Sequence, residues 1–111
     1  MRWKLSSMKI IKVASRYPCP GPRFKRLGPA SGEEFREWVE RELKHSPDLT
    51  IDLDGTEGYG SSFLEECFGG LIRRGVSPDK VKGIKFISEE EPELIDEINE
   101  YIEDAIKVSH G

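Results

Sequence analysis

Two adjacent hydroxyls, Ser61 and Ser62, follow glycines at positions 55, 58 and 60, and no other stretch of the chain is better equipped for chemistry. Ahead of them, Ile51-Asp52-Leu53-Asp54 alternates like a strand, and Phe63-Leu64 begins a helical pattern. Glycine opens backbone angles closed to other residues and keeps bulk away from a turn. The serines then stand where a helix presents unpaired N–H groups and the positive end of its dipole. A hydroxyl there can cap the helix, accept a phosphoryl group or touch a partner. Gly58, Tyr59, Gly60, Ser61, Ser62 and Glu65 are therefore candidate contact residues.

Competing readings act on the same residues. Ser62-Phe63-Leu64-Glu65 is an S-x-x-E capping box, which explains the serine without chemistry. Glu65 and Glu66 place two like charges within a turn of Ser62 and oppose a phosphoryl dianion there. Gly58-x-Gly60 is half of a dinucleotide-binding turn, so a small nucleotide- or phosphate-binding protein or enzyme is the rival reading. Phe63 occupies the third glycine position of that motif. A nucleophile elbow would need G-x-S-x-G, which this turn lacks. His45 falls at a helix end and His110 next to the last residue, so neither is placed as a base beside the serines. No His/Cys grouping has metal-ligand spacing. The adjacent pair Glu65/Glu66 points two ways on a helix and forms no acid/base dyad. The expectation is a domain without catalysis, cofactor or metal. Arg23, held in Gly21-Pro22-Arg23, is a further candidate, suited to a carboxylate or a phosphate of a partner, with a salt bridge to the acidic body as the alternative.

The segment Ile51–Leu71 resembles the core of STAS domains, the fold of bacterial anti-sigma-factor antagonists. It resembles more closely a STAS-like family of unknown function with an SSFLEE…FGGL signature, and this likeness extends from Ile10 to the final helix. Ile51-Asp52-Leu53-Asp54-Gly55 falls on the STAS hydrophobic–Asp–hydrophobic–x–Gly strand, and Ser61-Ser62 on the serine pair of the D-S-S-G-L-G turn. Gly60, Phe63 and Glu65 stand where that turn has Asp, Gly and Gly. The resemblance implies a regulatory protein–protein interaction domain whose partner is a histidine-kinase-like ATPase or an anti-sigma factor. It also implies Ser62 as the phosphoacceptor, with Ser61 second.

The elements that must position these residues can be read in order. Residues 1–7 are expected to be a flexible leader and 8–111 a single domain. Met8–Ala14 reads as a strand burying Ile10, Ile11 and Val13. Four of seven prolines, at 18, 20, 22 and 29, make the next stretch a loop. Ser31-Gly32-Glu33-Glu34 is a capping box that opens a helix to about Lys44. Leu49–Leu53 is the central strand, and a helix over Ser62–Arg74 buries Phe63, Leu64, Cys67, Phe68, Leu71 and Ile72. Gly69 and Gly70 within it cost about 1 kcal/mol each relative to alanine and predict a close approach of helix to sheet. Val81–Ile87 reads as a third strand, Glu89–Glu91 as a solvated helix start, and Leu94–Ile106 as an amphipathic helix. The order β-α-β-α-β-α predicts an α/β domain with helices packed on a small, mostly parallel sheet.

Composition bounds the function. At 111 residues, 36% hydrophobic and 34% charged, the chain can bury roughly 65% of its unfolded surface and fold alone. No apolar run reaches the roughly 18–20 residues of a membrane span, and no signal-peptide core is visible. Cys19 and Cys67 form no CxxC pair, so reduced thiols and a cytoplasmic setting are expected. Residues 1–26 carry eight basic residues and no acid, while the remainder carries all 21 acids. Nucleic-acid binding by that arm is the minor reading, because an acidic body can neutralise it.

Overall fold

In the computed structural model, which describes residues 8–110, three short strands form a parallel sheet in chain order: β1 (Met8–Lys12), β2 (Asp48–Asp52) and β3 (Lys85–Ile87). The expected leader over residues 1–7 lies outside the described residues. Ile11 pairs with Ile51, and Ile51 with Phe86. Strand side chains alternate between faces, so Ile11, Leu49 and Ile51 are buried together while Met8 and Ile10 are exposed. The expectation that Ile10 would be buried is corrected by this alternation. The strand also ends sooner than expected, because Val13 opens a one-turn helix, α1 (Val13–Arg16).

Parallel strands in chain order need crossovers, and the right-handed rule places both on one face. The first crossover is α2 (Gly32–His45), the second α3 (Ser61–Arg73) followed by α4 (Pro78–Lys82), and α5 (Glu93–His110) completes the layer. Helix α3 lies between α2 and α5 and packs extensively on both. Phe63, Leu64, Cys67, Phe68, Leu71 and Ile72 are all buried, as their spacing predicts. Phe35 stacks on Phe63 at 5.4 Å, and Phe68 meets Phe86 edge-on at 5.3 Å, joining helix layer to sheet.

The region expected to be a third strand, Val81–Ile87, divides. Ser77 accepts from the Lys80 N–H and Pro78 opens the helix, so Val81 is buried on α4 and the strand keeps only Lys85–Ile87. Proline at the first helical position is preorganised for this start. Glu89–Glu91 precede α5 rather than opening it. No helix among the described residues is long and apolar enough to cross a membrane.

Candidate functional site

The glycine turn leaves β2 at the carboxyl end of the sheet and delivers the chain to α3. Gly55 and Gly58 have φ of 91° and 132°, a region that favours glycine. The first half of the turn is clasped from outside. The Asp54 carboxylate accepts the N–H groups of Glu89 and Glu90 at 3.1 and 3.0 Å, and the Gly55 N–H donates to Glu90 Oε1 at 2.9 Å. Tyr59 is a strut: its hydroxyl donates to the Leu53 carbonyl at 2.7 Å and its ring packs on Phe63. Burial pushes that hydroxyl's pKa up, beyond the usual tyrosine range.

The second half is open. A β-carbon on Gly58 or Gly60 would meet nothing within 4 Å. Gly60 is the N-cap of α3, and no side chain caps the helix. The capping box expected at Ser62 therefore does not form, since Ser62 lies inside the first turn and Glu65 is engaged elsewhere. Ser61 and Ser62 are exposed. Ser61 lies near Tyr101 of α5, whose pKa is pushed up to about 12 by desolvation and by Glu97, with Ser61 pulling the other way.

The acidic pair of the SSFLEE run is bound by arginines. Arg23 Nη1 donates to Glu65 Oε1 at 2.6 Å and to Glu66 Oε1 at 3.1 Å. Arg73 grips Glu65 through two bonds of 2.7 and 3.0 Å, and Arg36 reaches Glu66 at 2.9 Å. Arg36 and Glu66 are both buried, where a charge survives only when paired and hydrogen-bonded. Burial raises the Glu65 pKa, but the Arg73 and Arg23 hydrogen bonds outweigh it and hold the carboxyl below its usual value.

This network also accounts for the adjacent glycines. A side chain on Gly69 would collide with the Glu65 carboxylate, and one on Gly70 would stand 3.0 Å from Cδ of Arg36. The close approach expected between helix and sheet is corrected: both glycines make room for charged side chains. Glu65 is thus an ion-pair partner of Arg23 and Arg73, and Arg23 forms the salt bridge to the acidic body that was one of its two expected roles. The sequence reading missed Arg36 and Arg73. Arg73 lies eight residues after Glu65, on the same face of α3, a signal that spacing alone could have raised. Nothing local marks Arg36, 30 residues from its partner.

Among the described residues, no group of three or more His, Cys, Asp or Glu side chains is arranged to hold a metal ion. Cys67 is fully buried, and its thiol is pushed well up by desolvation. Cys19 is exposed, and the nearby Glu57 carboxylate pushes its thiol pKa up. Shallow clefts lie away from the turn, one of them about 260 Å³ between Leu43, Lys44, Val76 and Lys80.

Compared with protein-family models, residues 31–94, more than half of the chain, match a STAS-like domain of unknown function. No curated protein and no solved structure matches.

Proposed function

The chain belongs to the STAS-like domains of unknown function, and we propose that it is a non-catalytic regulatory domain that binds a protein partner through the Gly58–Ser62 turn under control of Ser62 phosphorylation. The observation behind this reading is the exposure of Ser62 on the first turn of α3 with no capping duty. A serine that caps is occupied. This one is available to solvent, next to glycines that leave an approaching surface unobstructed.

The partner is a histidine-kinase-like ATPase or an anti-sigma factor, met in the cytoplasm. Its phosphoryl step would join Ser62 Oγ to the γ-phosphorus of a nucleoside triphosphate held by the partner. The bond from that phosphorus to the leaving nucleoside diphosphate breaks, and the hydroxyl proton passes to a base on the partner. The open geometry of the turn supports protein contact over nucleotide binding, which favours a concave, largely enclosing site.

The test is capture of the chain from its native cell, with mass spectrometry of both the partner and the modification state. Phosphate on Ser62 and a kinase-like or anti-sigma partner are expected. Ser62→Asp should weaken that partner's binding at least about tenfold, or 1.4 kcal/mol. Equal affinity for wild type and Ser62→Asp, with no phosphate on either serine, overturns the reading.

A further inference from the structure

We propose that Arg23 reads the phosphorylation state of Ser62, its guanidinium leaving Glu65 and Glu66 to hold the added phosphate. The inference rests on Ser62 being the phosphoacceptor, and it concerns what the phosphate meets once it is there. Ser62, Glu65 and Glu66 stand at i, i+3 and i+4 on α3, where β-carbons are about 5–6 Å apart. The Glu65 carboxylate lies over Gly69 and that of Glu66 beside Gly70, with Arg23 Nη1 bridging them at 2.6 and 3.1 Å. The Arg23 backbone itself stands beside the first turn of α3, because its loop accepts the Gly32 and Glu33 N–H groups and Gly32 abuts the Phe63 backbone.

Arg23 is the member of the network that can leave. When it departs, Glu65 keeps Arg73 at 2.7 Å and Glu66 keeps Arg36 at 2.9 Å, so neither carboxylate is left without a partner. The Arg23 side chain is 29% exposed, which gives it room to swing. Its backbone stays fixed, because the carbonyls of Pro22 and Arg23 accept the N–H groups of Gly32 and Glu33 at 2.8 and 2.9 Å. Only side-chain torsions need to change.

The charge balance favours the exchange. Arg23, Arg36, Arg73 and Arg74 face Glu40, Glu65 and Glu66, one positive charge in excess. The repulsion that the two acids would exert on a phosphate is thus already cancelled. A phosphoserine carries about −1.5 to −2 charge near neutral pH, and guanidinium takes phosphate through paired N–H bonds. A carboxylate with a second arginine is the weaker competitor for Arg23.

The experiment installs phosphoserine at position 62 of the full chain during translation and follows its phosphorus resonance against pH. In the wild type the second ionisation, ordinarily near pH 6, should fall by about half a unit or more. Arg23→Gln should abolish that shift, while Arg73→Gln should preserve it. An identical titration in wild type and Arg23→Gln, or equal loss in Arg73→Gln, overturns the proposal. If Arg23→Gln does not fold, Arg23→Lys decides. A reduced shift is expected because lysine keeps the charge without the fork, and an unchanged one counts against Arg23. Since no kinase is used, a negative result removes Arg23 as the reader without touching the in-cell test of Ser62.

Discussion

A β-carbon on Gly32 would lie 2.5 Å from the carbonyl oxygen of Phe63 and 3.0 Å from its Cα. The first turns of α2 and α3 therefore meet backbone to backbone, and this contact sets the serine pair beside the proline loop that carries Arg23. Gly32→Ala should destabilise the fold by about 1–3 kcal/mol through overpacking, although alanine is the better helix former. Urea unfolding measures it. An unchanged midpoint would mean that the two helices separate without cost.

The two S-x-x-E boxes should respond differently to the same substitution. Ser31 is buried and completes a reciprocal box with Glu34, so Ser31→Ala should cost about 1 kcal/mol. Ser62 caps nothing, and Ser62→Ala should stay within about 0.5 kcal/mol of wild type. Paired denaturation curves check this, and equal losses would restore Ser62 to a structural role.

Acid should loosen the arginine network. The Glu65 carboxyl is raised by burial but held down overall by Arg73 and Arg23, so its folded pKa lies below its unfolded one. Its contribution is then fully present above the usual carboxylate range and is lost as pH falls through that range toward the folded value. Arg73→Gln should flatten the acid limb of stability against pH. A limb as steep as that of the wild type would assign the acid sensitivity to other carboxylates.

Phe68 is fully buried and touches both Phe35 and Phe86. Phe68→Ala should cost about 3–5 kcal/mol from lost burial and the cavity left behind, read by thermal or chemical unfolding. A loss below about 1 kcal/mol would show that the α3–sheet contact is not the core.

Much of the fold was legible because it rests on local patterns. The Ser31–Glu34 box acts within one turn, and the apolar stripe of α3 follows helical spacing wherever the helix docks. The order of strands and crossover helices likewise constrained the sheet to parallel pairing before any contact was known. The burial of Leu49 and Ile51 follows from alternation on a strand with one covered face.

What tertiary structure decided lies where distant groups compete for the same atoms. The Ser62–Glu65 box is as good as the Ser31–Glu34 box in sequence. Arg23 and Arg73 take the Glu65 carboxylate, and a charge-assisted pair to guanidinium outcompetes a neutral backbone N–H. Gly69 and Gly70 announced a close approach, but only packing shows that the neighbours are the Glu65 carboxylate and the Arg36 side chain. Ile10 and Ile11 are equivalent in composition, and only the placement of every crossover helix on one face buries the second and exposes the first. Sequence reports what a residue can do with its neighbours in the chain. Which of its bonds forms depends on partners 30 to 43 residues away, because an oxygen already held by arginine has little left to offer a nearby N–H.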